Sequence, residues 1–182
     1  MRKVIPILSW LMVGWMCFVF LSSLPYKFTR ADETQHIFGT IGTWLSGFLG
    51  DGIGQLFTNF GGFAVGGFEL LTSIVLLLPA LLWLLNKGSD KPFGNTRRRW
   101  HQFGGLLAAA VMAGAVFFHL FTPLGINVNG DGGFLFGMAV SVLVLGIILF
   151  IINRGGVDVH EHAHAGHGHA QREHVQRANR EG

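Results

Sequence analysis

The sequence has little charge and almost no cysteine. Asp, Glu, Lys and Arg make up 13% of the 182 residues, whereas 50% of the residues are hydrophobic. Soluble domains usually contain about 25% charged residues, so the composition excludes an ordinary soluble domain and predicts an integral membrane protein in contact with the lipid bilayer. Cys17 is the single cysteine, which excludes a disulfide within the chain and dithiol chemistry by this chain alone.

Motifs that mark several soluble enzyme classes are also missing. The sequence contains no phosphate-binding glycine loop and no nucleophile elbow. Most of the 27 glycines lie inside or beside apolar runs, where small residues let membrane helices pack closely. The net charge of +3 comes mainly from basic clusters that flank apolar runs. Such clusters indicate membrane topology rather than nucleic-acid binding.

Hydrophobic runs predict four transmembrane helices. A spanning helix needs about 20 apolar residues, and runs of suitable length cover 4–24, 63–85, 103–121 and 134–152. Basic residues precede the first run, as in a signal peptide, but its length and the lack of a small-x-small cleavage site favour a retained span. We therefore expect an all-α protein with a four-helix membrane domain over 1–156.

Basic residues predict the orientation of this bundle. They concentrate before the first span, between the second and third spans, with a run at 97–99, and after the fourth span. Because basic loops remain in the cytoplasm, we expect both termini to be cytoplasmic, in a bacterial inner membrane. The connections 25–61 and 122–132 then lie outside, where Lys27 and Arg30 are mild exceptions to the rule.

The segment 86–102 joins the second and third spans and contains Lys87, Lys91 and the arginine run at 97–99. We expect it to be a hydrophilic cytoplasmic loop beside anionic lipid. Trp100 and His101, at its end, are then expected at the membrane interface.

The stretch LPYKFTRADETQHIF, residues 24–38, is the densest polar segment outside the last third of the chain. Thr29 followed by Asp32 and Glu33 is typical of a helix start, in which a hydroxyl caps the first turn. From Glu33 apolar residues recur every three or four positions as far as Phe48, which predicts a short amphipathic helix at the outer membrane surface. A turn at 49–54 is expected before the second span.

The second span opens with a stripe of small and polar residues. Gly62, Gly66, Glu69 and Ser73 recur at intervals that place them on one face of a helix. Because a carboxylate exposed to lipid is costly, this face is expected to point at other helices.

Topology places several ionisable residues at the outer face of the bundle: Lys27, Glu33, His36, Glu69 and His119. A carboxylate within a span costs about 2.5–3.5 kcal/mol unless it is paired or protonated, and Lys27, His36 and His119 are its natural partners. Two interpretations remain open. The cluster is either a site for a proton-coupled small molecule such as a quinone headgroup, or for a metal ion, or else it is a structural ion pair that holds the outer segment on the bundle.

The last segment, 157–182, is a predicted disordered tail rich in histidine. Neutral imidazole is a common ligand of zinc, copper and nickel, and alternation with alanine and glycine gives a flexible chelator. The tail is therefore either a cytoplasmic metal-binding segment or a variable polar tail without metal function. Its candidate ligands are His160, His162, His164, His167, His169 and His174.

The layout of residues 4–152 resembles the DoxX-like family of small four-helix membrane proteins. The similar segments are LPYKFTRADETQHIFGTIGTWL, GGFAVGGFELLTSIVLLLP and FFHLFTPLG. Lys27 and Thr29 match a lysine-threonine element that follows the first helix in several relatives, and Glu69 matches a glycine-then-glutamate element of the second. The histidine tail lies outside the resemblance.

The resemblance implies an accessory or quinone-facing subunit of a membrane redox system. Some members of the family are subunits of membrane oxidoreductases. The sequence contains no haem pair, flavin motif or cysteine couple, which favours a non-catalytic role for the chain alone. The alternative is a membrane protein of metal-ion transport or homeostasis that uses the histidine tail.

Overall fold

A computed structural model of the chain describes residues 4–85 and 94–154, and this part consists of five α-helices without a strand. Four of the helices are long and apolar enough to cross a membrane. The predictions of an all-α membrane bundle and of an additional short helix after the first span are therefore confirmed. The tail at 157–182, with its six histidines, lies outside the described residues. The helices are α1 (Val4–Phe28), α2 (Asp32–Leu49), α3 (Asp51–Leu85), α4 (Gly94–Phe121) and α5 (Phe134–Arg154).

α1, α3, α4 and α5 form the bundle around a shared apolar core. α1 contributes half of the buried core residues and packs against α3, α4 and α5. The lipid-facing surfaces of all four helices expose large apolar residues. Phe20, Met16, Leu76, Val142 and Leu149 are the most deeply buried members of the core.

α2 runs antiparallel to the first third of α3 and caps one end of the bundle. Ile41 of α2 packs with Leu124 and Val128 of the connection between α4 and α5. We call this end, formed by α2 and residues 122–133, the α2 end. The opposite end, which contains Arg97, Arg98 and Arg154, is the arginine end.

The turn predicted at 49–54 is confined to Gly50, and the helix that contains the predicted second span begins before residue 63. Only Gly50, with a φ of 85°, separates α2 from α3, which begins at Asp51 and is 35 residues long. Gly54 lies within α3 because it provides a close helix contact: a methyl group added there would come within 2.5 Å of Gly42 O. Gly54 therefore permits helix packing, whereas Gly50 marks the turn.

Thr29 does not cap α2, contrary to the sequence-based prediction. Ala31 occupies the capping position and makes no side-chain hydrogen bond to the helix. The Thr29 hydroxyl instead donates to Pro25 O at 2.7 Å, and Ala31 N donates to Tyr26 O at 3.0 Å, with Arg30 at a φ of 55°. These contacts are typical of a helix C-terminus, so Thr29 and Arg30 close α1. Asp32 and Glu33 lie in the first turn of α2, as predicted.

α4 begins at Gly94, nine residues before the predicted start of the third span at residue 103. The part of the predicted loop that the structure describes is thus helical. His101 is fully buried between helices, at 0% exposure. The reason is its register, because His101 shares a face of α4 with the buried residues Ala108 and Met112.

Asp131 organises the connection between α4 and α5. Its Oδ1 accepts hydrogen bonds from Val128 N and Gly133 N, both at 2.9 Å, and its Oδ2 accepts one from Leu135 N at 2.8 Å. Burial alone raises the pKa of this carboxyl, but the three backbone hydrogen bonds and the nearby His119 outweigh it and hold the pKa below its ordinary value. The charged carboxylate therefore stabilises the start of α5.

Asp131→Ala is expected to destabilise the protein by about 1 kcal/mol, the usual effect of losing a side chain that caps a helix. Because the folded state lowers the pKa, the contribution of Asp131 is present above the ordinary carboxyl pKa and disappears as the pH falls through the folded value. Thermal unfolding in detergent at pH 7 and at mildly acidic pH measures this effect. The difference from wild type should shrink below about pH 4, whereas Asp51→Ala, at an exposed position of α3, should have little effect at either pH.

Candidate functional site

Lys27 and Glu69 form an ion pair where α1 meets α3. Lys27 Nζ lies 2.7 Å from Glu69 Oε2, and the two side chains are 16% and 4% exposed. Ser23 completes the group: its hydroxyl lies 2.8 Å from Glu69 Oε2 and accepts a hydrogen bond from Lys27 Nζ at 2.9 Å. A buried carboxylate is thus both charge-paired and hydrogen-bonded, as its burial requires.

Small residues of α3 allow α1 to approach this carboxylate. A methyl group added at Gly66 would lie 3.4 Å from the Lys27 side chain, and one added at Gly62 would lie 3.0 Å from Thr34. Gly62, Gly66, Glu69 and Ser73 are all buried. The prediction that this stripe faces other helices is confirmed.

His119 makes its polar contact in another part of the α2 end. Its Nδ1 lies 2.7 Å from Gly125 O, so this nitrogen carries the proton and donates to the carbonyl. The ring is 8% exposed and packs edge-on against Phe136. No hydrogen bond or ion pair within residues 4–85 and 94–154 joins His119 to Glu69. His119 supports the connection that follows α4.

Glu33 and His36 are exposed on α2, away from the ion pair. His36 borders an open groove of about 480 Å³ between α2 and the start of the 122–133 connection. The groove combines hydrogen-bonding side chains with the apolar surfaces of an indole and a proline. It is lined by Gln35, His36, Gly39, Thr40, Thr43, Trp44 and Pro123.

A second, much smaller cavity lies beside the ion pair. Its volume is about 10 Å³, which is close to the space that one water molecule needs. Lys27, Arg30 and Gln35 are among the residues that line it. Because Gln35 also borders the larger groove, this side chain lies between the groove and Lys27.

Sequence reasoning missed Ser23, Gln35 and the groove. Ser23 had a usable signal, because it lies four residues before Lys27 and therefore on the same helix face. The groove had none, since Pro123 reaches α2 only through the tertiary packing of the connection after α4.

Metal ligands do not converge in the part of the chain that the structure describes. No three His, Cys, Asp or Glu side chains lie close enough together there to hold an ion. Cys17 is buried in the bundle, with its Sγ 4.0 Å from Ser73 O. The predicted metal ligands of the tail, from His160 to His174, lie outside the described residues.

The candidate site at the α2 end therefore consists of the Lys27–Glu69 pair with Ser23, the small cavity beside it, and the groove that Gln35 shares with that cavity. Comparison of the chain with known protein families, curated proteins and solved structures finds no match.

Proposed function

We propose that the protein is an accessory, quinone-facing subunit of a membrane redox system and is not a stand-alone enzyme. The main support is the groove at the α2 end, which shares Gln35 with the small cavity beside the buried Lys27–Glu69 pair. Small-molecule pockets usually measure roughly 300–1,000 Å³ and combine apolar walls with a few polar groups. The volume of the open groove, about 480 Å³, lies in this range, and its lining combines both kinds of side chain. A quinone headgroup needs such a mixture, because it has an apolar ring and two carbonyl acceptors.

Each part of the site has a role in this proposal. The ring of the quinone lies against Trp44, and Gln35 or His36 donates a hydrogen bond to a carbonyl oxygen. Gln35 separates the groove from Lys27, whose ammonium is held by Glu69 and Ser23. In this proposal the pair, which has no net charge, fixes the Lys27 ammonium on the far side of Gln35 from the groove. Electrons come from a partner oxidoreductase.

A DoxX-like identity is part of the proposal. The lysine-threonine element and the glycine-then-glutamate element of that family are far apart in the sequence, yet Lys27 and Glu69 are in contact. This contact supports a shared architecture in which the two elements form one unit.

The proposed location is the bacterial inner membrane, with both termini in the cytoplasm. Arg97 and Arg98 at the start of α4 and Arg154 at the end of α5 lie at the same end of the bundle. Basic residues favour the cytoplasmic side. The α2 end and its groove then face outwards.

Quinone retention tests the proposal. The full-length protein is purified in mild detergent, and its lipid extract is analysed for quinone. Gly39→Leu should abolish retention, because Gly39 lines the groove and a side chain there meets no protein atom within 4 Å of its Cβ. Gly47→Leu is the matched control on the same helix, also without an atom within 4 Å, and should retain quinone. Equal quinone content in both variants, or none in wild type, would contradict the proposal.

A metal-homeostasis protein is the second candidate, supported by the six histidines of 157–182 that alternate with small residues. Deletion of 157–182 separates the two proposals. Under the redox proposal the truncated protein retains quinone as wild type does. Under the metal proposal the deletion abolishes binding of zinc, copper and nickel, measured by titration of the purified full-length and truncated proteins.

A further inference from the structure

The arginine end contains a second polar cluster, at the opposite end of the bundle from the Lys27–Glu69 pair. Within residues 4–85 and 94–154, four buried side-chain polar atoms have no hydrogen-bond partner, and all four belong to three residues of this end. They are Arg97 Nη1, Nδ1 and Nε2 of His101, and Asn153 Oδ1. Buried polar atoms nearly always have a partner in native proteins, so such a concentration points to a ligand.

Three helices bring these residues together. Trp10 of α1 packs edge-on against the His101 ring of α4, with ring centroids 4.6 Å apart. Asn153 of α5 donates to Ser9 Oγ of α1 at 3.3 Å and to Leu149 O at 2.9 Å. We call Ser9, Trp10, Arg97, His101 and Asn153 the arginine-end junction.

The free groups of the junction define the chemistry of a ligand. The Arg97 guanidinium is a donor with a permanent charge, and His101 contributes a further N–H donor, whereas Asn153 Oδ1 is an acceptor. Arg97 and His101 are four residues apart, so they share one face of α4. The matching ligand has an anionic group with several acceptor oxygens next to a hydroxyl donor.

We propose that this junction binds the headgroup of an anionic, hydroxyl-bearing phospholipid, a glycerol phosphodiester. Arg97 and His101 donate to the phosphate oxygens, and a headgroup hydroxyl donates to Asn153 Oδ1. Arg97 is half-buried while His101 and Asn153 are 0% and 4% exposed. An outward rotation of the long Arg97 side chain admits the headgroup.

The surroundings of the junction favour a lipid over free phosphate. Ile151, two residues before Asn153, is 60% exposed, and Phe103, two residues after His101, is 51% exposed. Ile7 of α1 is 62% exposed. These apolar surfaces on three helices give acyl chains a place beside the headgroup, which inorganic phosphate does not need.

Lipid-dependent thermal unfolding of the full-length protein tests the proposal. Purified protein in a neutral detergent is titrated with phosphatidylglycerol, phosphatidylcholine or inorganic phosphate. Phosphatidylglycerol should raise the unfolding temperature the most, because a ligand of the native state stabilises it by mass action. Arg97→Gln should weaken phosphatidylglycerol binding about tenfold, as expected when a charge-assisted hydrogen bond is lost. Arg99→Gln removes the same charge at an exposed neighbouring position and should change affinity less than about twofold.

His101→Phe provides a second readout that does not depend on charge. Without lipid, this variant should unfold at the same or a higher temperature than wild type, because the substitution removes two buried nitrogens without partners. Its stabilisation by phosphatidylglycerol should nevertheless decrease. A purely structural histidine would give the opposite result, with lower stability and unchanged lipid response.

Three results would overturn the proposal. Equal effects of Arg97→Gln and Arg99→Gln would show that the lipid binds by nonspecific electrostatic attraction and not at the junction. Equal stabilisation by phosphatidylcholine would remove the requirement for an anionic headgroup. Inorganic phosphate that stabilises the protein as strongly and competes with the lipid would show that free phosphate is the occupant.

Discussion

Lys27→Met is expected to lower the free energy of unfolding by about 3 kcal/mol, because it leaves the Glu69 carboxylate buried without its cation. Glu69 is 4% exposed, and its Oε2 is held only by Lys27 and Ser23 among the contacts that the structure describes. Methionine retains most of the apolar stem of lysine, so the substitution tests the charge and not the packing. Thermal unfolding in detergent and the amount of folded protein in the membrane measure the effect.

Two further variants separate the pair from general charge effects. Arg30→Met removes a cation three residues away, at an exposed position, and should change stability by less than about 0.5 kcal/mol. Lys27→Met combined with Glu69→Leu should recover most of the stability, because replacing both members of a buried pair with apolar residues is often neutral.

The result also bears on the role of the pair. If Lys27→Met unfolds the protein while quinone retention survives in the double variant, the role of the pair is to stabilise the packing of α1 against α3. If the Lys27→Met protein is instead stable but has lost its quinone, the Lys27 ammonium takes part in quinone binding. Unchanged stability together with unchanged quinone content would contradict both roles.

Hydropathy predicts most of the fold because each spanning helix must satisfy its backbone internally and present apolar side chains to lipid. It also predicts the buried face of α3, because Glu69 in lipid would be too costly. The segment from Asp51 to Gly62 was misjudged for a physical reason. Its glycines pack against α2, and a sequence does not distinguish a glycine that allows a close contact from one that makes a turn.

The candidate site is predictable only in part. Topology places Lys27 and Glu69 at similar depth, but depth does not specify the direction in which a side chain points. His119 donates to Gly125 because Asp131 folds the connection after α4 back towards the helix end. The groove likewise depends on Pro123 reaching α2. Contacts of this kind arise from tertiary packing, for which one sequence contains no periodic signal.

Gly105→Leu is expected to disrupt the contact between α4 and α5 and to destabilise the protein by about 3 kcal/mol, at the upper end for overpacked sites. Even a methyl group at Gly105 would lie 2.8 Å from Gly146 O and 3.1 Å from Phe150 N. These atoms belong to the backbone, so no side-chain rotation relieves the overlap. Because lipid provides no hydrophobic drive for helix association, loss of this close packing is not compensated elsewhere.

Alanine substitutions distinguish glycines at the α4–α5 contact from glycines that face open space. Gly114 on α4 and Gly137 on α5 have no atom within 4 Å of an added Cβ. Alanine at these two positions should stabilise the helix by about 0.5–1 kcal/mol, whereas Gly105→Ala and Gly146→Ala should destabilise the protein. The sign of the change, measured by thermal unfolding in detergent, therefore reports whether the helix backbones are in contact. In the structure, a Cβ added at Gly146 would lie only 2.7 Å from Gly105 O. Stabilisation at all four positions would therefore contradict this close approach of α4 and α5.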